Sequence, residues 1–101
     1  MSINVDVRDH TACISMSGRF DFQVHRDFKA AYTSPLENAD VREIEIELSR
    51  VEYLDSSALG MMMLLRERAQ AAGKAVVLVK PNQFISQILD IANFSKLFKI
   101  L

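Results

Sequence analysis

Residues 43–79 combine two hydrophobic periodicities, and this combination constrains the fold more than any other feature of the chain. In "EIEIEL", residues 43–48, glutamate alternates with isoleucine or leucine, which is the period of a strand with one buried face. A helix is predicted from about Ser56 to Ala72, and "AVVLV" at 75–79 is the continuous apolar run of a strand covered on both faces. Such a strand–helix–strand unit implies a right-handed crossover between parallel strands.

The remaining segments extend this unit at both ends. Two segments of period two near the N-terminus predict a hairpin, with "RDHT" as its turn. Asp21 is predicted to cap a helix that ends near Pro35, and Pro81 and Asn82 precede a third helix. The order β-β-α-β-α-β-α, followed by an apolar tail, predicts an α/β fold. We expect one domain over residues 1–101, with a mixed, mostly parallel sheet and helices mainly on one face.

The composition limits the classes of partner and compartment. A formal net charge of −1 gives no reason to expect nucleic acid or an anionic membrane surface as a partner. No apolar stretch approaches the roughly 20 residues of a membrane-spanning helix, and "MSINVDVRDH" does not resemble a signal peptide. The single cysteine, Cys13, excludes an internal disulfide, which fits a reducing compartment. We therefore expect a cytoplasmic protein without membrane insertion.

Three residues able to cap a helix follow one another where the central strand gives way to a helix: Asp55, Ser56 and Ser57. Aspartate and serine side chains accept hydrogen bonds from the first free N–H groups of a helix, which contributes typically ~1 kcal/mol. Three such residues exceed what one helix end needs. A phosphate on a hydroxyl here would also meet free N–H groups and the positive end of the helix dipole. These residues alone leave capping and phosphorylation open.

The helix that follows carries more apolar residues than one buried face requires. A helical wheel gives one continuous apolar face, formed by Ala58, Met61, Met62, Leu65, Ala69 and Ala72. Leu59 and Met63 lie on its flank. Either neighbouring helices cover this flank, or it is an exposed binding patch, for which the flexible methionine side chain is suited. Gly60 also has two interpretations, close packing against a strand or a low surface beside the serines.

The sequence lacks the patterns of the common catalytic and cofactor sites. The two histidines, His10 and His25, have no sequence-local connection to the serines, and "DSSALG" is not the G-x-S-x-G turn of α/β hydrolases. Three glycines give no phosphate-binding loop, and one cysteine with two histidines at unrelated positions gives no metal-binding spacing. We expect no cofactor, no metal and no enzymatic activity. An enzyme with Ser56 as nucleophile is the least favoured alternative.

Much of the chain resembles a known family. Residues 51–100, "VEYLDSSALGMMMLLRERAQAAGKAVVLVKPNQFISQILDIANFSKLFKI", are similar to the central and C-terminal part of a STAS domain, as in bacterial anti-sigma factor antagonists. The family pattern has Asp-Ser-Ser-Gly-Leu-Gly, a helix that ends in Gly-Gly-Lys-like residues, a short apolar strand, and a helix leading to Leu-Phe-Lys-Ile. "SGRFD", residues 17–21, resembles the family's Gly-Glu-Leu-Asp stretch. The resemblance implies a β-sheet flanked by helices.

The resemblance also implies a binding protein of bacterial signal transduction and transcription regulation rather than an enzyme. Unphosphorylated family members bind an anti-sigma factor that is itself a serine kinase, and they thereby free a sigma factor. The kinase phosphorylates a serine of the motif, which ends the interaction, and a serine phosphatase restores it. Carried over, the phosphorylated residue is Ser56, with Asp55 as its neighbour and Ser57 as the second serine. The alternative within the family is a subunit of another assembly, such as a lipid transporter or a stress-sensing complex.

The expected partner-binding surface follows from the same resemblance and from the apolar flank. The family's loop before the first helix lies near the phosphorylation site, so Arg19, Phe20 and Asp21 are expected to contact the partner. The motif and the start of the helix are expected to join them, through Asp55, Ser56, Ser57, Leu59, Met61, Met62 and Met63. Ala58 stands where the family usually has glycine. Arg19 and Phe20 replace an acidic and an aliphatic residue, and the charge reversal indicates a more acidic partner surface than that of the usual kinase.

Overall fold

The computed structural model describes residues 1–101. Strands β1 to β5 comprise Ser2–Arg8, Thr11–Phe20, Glu43–Leu54, Ala75–Val79 and Lys99–Ile100. Helices α1 to α3 comprise His25–Glu37, Ser56–Ala71 and Gln83–Ile91. Two short 3-10 helices, Phe22–Val24 and Phe94–Lys96, precede α1 and β5. The predicted order of the elements is confirmed as far as α3.

The five strands form one sheet in the order β1-β2-β3-β4-β5. β1 and β2 form an antiparallel hairpin, whereas β2, β3, β4 and β5 run parallel to one another. Parallel strands that advance in one direction through right-handed crossovers place all their helices on the same face of the sheet. The prediction of a single α/β domain with a mixed, mostly parallel sheet is confirmed.

The apolar tail has a structure that its periodicity did not predict. Lys99 and Ile100 form β5, which pairs with Val77 and Leu78 of β4. A strand of two residues is too short to show a period of two, so the sequence indicated only an apolar segment. The tail is apolar because it fills the core, where Phe94 and Phe98 are buried.

Helix α1 begins and ends later than predicted. Asp21 caps the preceding 3-10 helix instead, because its Oδ1 accepts a hydrogen bond from the Gln23 N–H at 3.0 Å. α1 also continues past Pro35, which is buried in its last turn. The Lys74 ammonium donates to the carbonyl oxygens of Pro35 and Asn38, at 2.9 and 2.6 Å. These bonds satisfy acceptors that a helix end leaves free and thereby hold the last turn of α1.

The core lies between the sheet and the helices. Ile14, Ile46 and Leu78 occupy matched positions on β2, β3 and β4, and all three are fully buried. Full burial of such side chains contributes about 1.5–3 kcal/mol each relative to exposure. On the other face of the sheet, Glu45 pairs with Cys13, and both are half-buried, as the alternation along β3 predicted.

The carboxyl ends of β2, β3 and β4 lie at the same edge of the sheet. Phe20 pairs with Leu54, and the Asp55 N–H donates to the Phe20 carbonyl oxygen at 3.4 Å. The Asn82 amide donates to the Val51 carbonyl oxygen at 2.8 Å, which brings the start of α3 to this edge as well. The loop after β2 and the N-terminus of α2 therefore adjoin, as the resemblance implied.

Candidate functional site

The start of α2 uses Asp55 as its cap. The Asp55 backbone is extended, its Oδ1 accepts a hydrogen bond from the Ala58 N–H at 3.0 Å, and its carbonyl oxygen accepts one from the Leu59 N–H at 3.2 Å. Helix geometry leaves the N–H groups of Ser56 and Ser57 without an intrahelical acceptor. Capping therefore accounts for Asp55 but not for the two serines.

The two serines differ in exposure. Ser56 is exposed, whereas Ser57 is half-buried. Asp55 caps the helix without either hydroxyl, so Ser56 is exposed at the first residue of α2 and has no role as its cap. A phosphate at that position would lie at the positive end of the helix dipole, where a negative charge is favourable by about 0.3–1 kcal/mol. The geometry is thus compatible with modification of Ser56 in the folded state.

At the carboxyl end of β2, Arg19 lies against β3. The guanidinium carbon of Arg19 lies 4.2 Å from the centroid of the Tyr53 ring, and its Nε lies 3.7 Å from the Asp21 Oδ2. A cation–π contact at an exposed site contributes about 0.5–1 kcal/mol, while an ion pair this long at the surface contributes little. The Arg19 side chain is 64% exposed. Its charge therefore stays at the surface, with its position set mainly by Tyr53.

Three of the predicted partner-binding residues belong to the core instead. Phe20 and Met62 expose no surface, and Met61 exposes 8%. The Phe20 ring packs on the Phe28 ring with centroids 5.0 Å apart, and the two methionines belong to the same buried cluster. A side chain without exposed surface cannot contact a partner in this conformation. The prediction was therefore wrong for Phe20, Met61 and Met62.

The apolar surface near the serines is smaller than predicted on α2, but it includes a residue that the sequence did not single out. Leu59 is half-buried and Met63 is 44% exposed, so neighbouring helices do not cover this flank completely. Phe22, the first residue of the 3-10 helix after β2, is 71% exposed and stacks on His25. The sequence signal that could have identified Phe22 is an aromatic residue directly after the capping residue Asp21.

Gly60 lies on the exposed side of α2, near the serines. A methyl group on its Cα would meet no other heavy atom within 4 Å. Close packing against a strand is therefore the wrong explanation for this glycine. That it keeps the surface low for a partner stays a prediction.

Replacing Gly60 with alanine is expected to stabilise the domain by up to ~1 kcal/mol, because alanine has the higher helix propensity and the site has room for a methyl group. Urea denaturation measures this as a higher midpoint at an unchanged slope. If the same variant binds the partner more weakly, Gly60 is needed to keep the partner-binding surface low. An unchanged or lower midpoint would contradict the open surroundings of Gly60.

Both histidines are engaged outside the serine motif. The His10 Nδ1 lies 2.8 Å from the Asp40 carbonyl oxygen, and the His25 ring stacks on Phe22 with centroids 6.2 Å apart. No group of three or more His, Cys, Asp and Glu side chains is arranged to hold a metal ion. The chain contains no helix with both the length and the apolar character that a membrane crossing requires. The edge of the sheet thus combines an exposed hydroxyl, a helix N-terminus and apolar side chains, which are features of a binding surface.

Comparison with other sequences gives matches over most of the chain. A family model described as "Mlab, STAS domain" matches residues 3–101. A STAS-domain containing protein of Pseudomonas aeruginosa (strain UCBPP-PA14) is 41% identical over 87 residues, which are 86% of this chain and 84% of that protein. A candidate anti-sigma factor antagonist of Thermotoga neapolitana is 32% identical over 63 residues, which are 62% of this chain and 56% of that protein.

Solved structures share the fold at lower identity. A candidate anti-sigma factor antagonist from Thermotoga maritima has a TM-score of 0.85 at 22% identity, over 97% of this chain and 84% of that chain. The anti-sigma factor antagonist SpoIIAA has a TM-score of 0.76 in its unphosphorylated form, at 16% identity, over 99% of this chain and 87% of that chain. SpoIIAA in its phosphorylated form has a TM-score of 0.75 at 16% identity, over 99% of this chain and 91% of that chain. Because the family model spans nearly all of the sequence and the structures share its fold, the chain belongs to the STAS-domain family, which includes anti-sigma factor antagonists.

Proposed function

We propose that this STAS-domain protein is an anti-sigma factor antagonist that is switched by phosphorylation of Ser56. The unphosphorylated form binds an anti-sigma factor that is also a serine kinase, and this binding releases a sigma factor. Phosphorylation of Ser56 ends the complex, and a serine phosphatase restores it. The antagonist role is supported by the Thermotoga relative and by the SpoIIAA fold, and SpoIIAA itself exists in a phosphorylated form.

The proposal is supported by one feature of the start of α2: the residue that caps the helix and the exposed serine are different residues. Asp55 makes the cap, and the exposed Ser56 next to it is left free for a kinase. Ser57 is half-buried and is therefore the poorer substrate. A hydroxyl that was itself the cap would have to leave its N–H partner before it could react, at a cost of about 1 kcal/mol.

The proposed partner surface surrounds Ser56. It consists of the exposed parts of the end of β2, of the loop that follows it and of the first turns of α2, namely Arg19, Asp21, Phe22, Asp55, Ser56, Ser57, Leu59 and Met63. Half-exposed apolar side chains supply the area that a partner would bury. A phosphate in the middle of this surface adds about 1.5–2 negative charges, which the partner would have to accommodate or leave hydrated. The phosphate thus opposes binding rather than folding.

An affinity purification from the native cell tests the proposal. The bait is the Ser56→Ala variant, which cannot be phosphorylated at that position, and the matched control is Ser56→Asp. We expect the alanine bait, and not the aspartate bait, to retain a protein with an ATP-binding serine-kinase domain. Retention of the same proteins by both baits would contradict the switch. Labelling of the wild-type protein by a serine-reactive fluorophosphonate would instead support a nucleophilic Ser56.

A second candidate is a STAS subunit of another assembly, such as a lipid transporter or a stress-sensing complex. Arg19 favours it, because this exposed cation stands where the antagonists usually carry an acidic residue. The same purification separates the two candidates. A multi-subunit assembly without a kinase, retained by both baits, would support this second function.

Replacing Arg19 with glutamate is expected to slow association with the partner about tenfold at low salt, because the exposed charge steers the encounter with an acidic surface. The effect should shrink as salt is raised, since the charge lies at the surface. Stopped-flow association rates at two salt concentrations measure it, with Arg42→Glu, exposed just before β3 at the opposite edge of the sheet, as the control. A loss that does not depend on salt would assign Arg19 to packing on Tyr53 instead.

A further inference from the structure

Strand β1 forms an open edge of the sheet. Its seven residues pair only with β2, so the outer side of the strand presents unpaired backbone N–H and C=O groups. A long edge strand is a template for pairing with another chain. The opposite edge is β5, which has only two residues. β1 is therefore the edge with the length to accept a further strand.

The edge also carries an uncovered apolar face. Val5 and Val7 pair with Ile14 and Ala12, which are buried, yet the two valines are 42% and 47% exposed. Beside them lies an open groove between β1 and α1, lined by Met1, Ile3, Val5, Asp27, Ala30 and Ala31. The short alanine side chains leave room for an apolar side chain from a neighbouring strand. The unpaired backbone groups and the uncovered apolar side chains therefore lie together on β1.

We infer that β1 pairs antiparallel with β1 of a second copy of this chain, around a two-fold axis that passes through Val5. The two sheets then form one continuous sheet, in an interface that presents the same surface twice. In this register Val5 faces Val5 of the second copy, Ile3 faces Val7, and Ser2 faces Arg8. All seven residues of each strand gain a partner.

The sequence of β1 selects this register. A shift by one residue would turn Val5 and Val7 towards the polar face of the partner sheet. An axis at Asp6 would oppose two carboxylates, which is destabilising. An axis at Val7 would pair Val5 with Asp9, whose φ of 49° takes it out of the strand. An axis at Asn4 would leave Val7 beyond the end of the partner strand. The register centred on Val5 keeps the valines on the apolar face, opposes no carboxylates and pairs every residue of the strand.

The charges of β1 suit a second copy as the occupant. The Asp6 Oδ2 and the Arg8 Nε form an ion pair at 2.9 Å within each strand, so neither brings a net charge to the joined edge. In the proposed register Asp6 faces Asn4 of the second copy, and the amide of Asn4 can donate to that carboxylate. The valines of one β1 therefore face apolar residues of the other β1, and the Asp6–Arg8 ion pairs leave no net charge between the two strands.

The interface is small, and the dimer should therefore be weak. One pair of edge strands buries less than the roughly 1,200–2,000 Å² of a stable interface, so we expect dissociation constants of about 10–100 μM. Sedimentation velocity of the full chain from 5 to 500 μM should show the 11.4 kDa monomer passing to a dimer. Val5→Lys should remain monomeric over this range. Because Val5 is partly exposed, this variant should melt like the wild type.

Cysteine cross-linking tests the register in the Cys13→Ser background. Val5→Cys faces its own copy and should oxidise to a covalent dimer, whereas Val7→Cys is the matched control on the same face, with similar exposure. In the proposed register the two copies of residue 7 lie about 14 Å apart along the strands, beyond the reach of a disulfide. We expect Val5→Cys to cross-link at least tenfold faster. Equal rates, faster cross-linking of Val7→Cys, or a wild-type protein that stays monomeric at 500 μM would overturn the inference.

Discussion

Replacing Met62 with aspartate is expected to prevent the domain from folding. Met62 is fully buried in the main core cluster, on the face of α2 that also carries Leu65 and Ala69. The lost methionine side chain should cost about 2–5 kcal/mol, and a buried polar group without a hydrogen bond adds about 2–7 kcal/mol, more if it is charged. Since small domains are stable by only about 5–15 kcal/mol, little or no folded protein should remain. Circular dichroism should show no cooperative thermal transition.

The adjacent residue supplies the matched control. Met63 is 44% exposed, so Met63→Asp should melt like the wild type. If Met63 belongs to the partner surface, the same variant should bind the partner at least tenfold more weakly, which corresponds to about 1.4 kcal/mol. A cooperative, wild-type-like transition for Met62→Asp would contradict its place in the core. An unchanged dissociation constant for Met63→Asp would leave that side chain outside the partner surface.

Replacing Ser56 with aspartate is expected to weaken partner binding about a hundredfold without destabilising the domain. A negative charge at the N-terminus of α2 is favourable by about 0.3–1 kcal/mol, and Asp55 keeps its own hydrogen bond to the Ala58 N–H. The cost falls on the complex, where the charge and its water would have to fit against the partner. A loss of roughly 3 kcal/mol would weaken binding about a hundredfold. Isothermal titration calorimetry measures it beside a thermal melt of the free variant.

Two further variants separate the switch from a structural role. Ser56→Ala should bind the partner and resist inactivation by ATP and the kinase, because the acceptor hydroxyl is gone. Ser57→Ala should still be phosphorylated. If Ser56→Asp binds as tightly as the wild type, the assignment of the switch is wrong. If Ser56→Asp unfolds, Ser56 is a structural residue and the exposure of its hydroxyl has no regulatory meaning.

The fold could be predicted because its strands and helices differ in period. The alternation along β3 predicted its buried face, and the three-to-four spacing along α2 placed Met62 on the apolar face and Met63 on its flank, although Met62 was also expected at the partner surface. The same reasoning could not detect β5, because two residues have no period. It also placed the end of α1 too early, because the hydrogen bonds from Lys74 to the last turn join residues far apart in sequence.

The candidate site was predicted less completely, because spacing in the sequence does not determine which atoms meet. Asp55, Ser56 and Ser57 can each cap a helix, and only the backbone geometry assigns the cap to Asp55. Phe20 was expected at the partner surface because of its position in the loop motif, yet it is the last residue of β2 and points into the core. The exposed aromatic residue is Phe22, two positions later.

Mapping the phosphate and the partner in one experiment tests the central claim most directly. The protein is purified from its native cell, its free and partner-bound fractions are separated, and each is analysed by peptide mass spectrometry. We expect phosphate on Ser56 in the free fraction and unmodified Ser56 in the fraction bound to the anti-sigma factor. Phosphate on Ser57 alone, or phosphorylated Ser56 in the bound fraction, would contradict it.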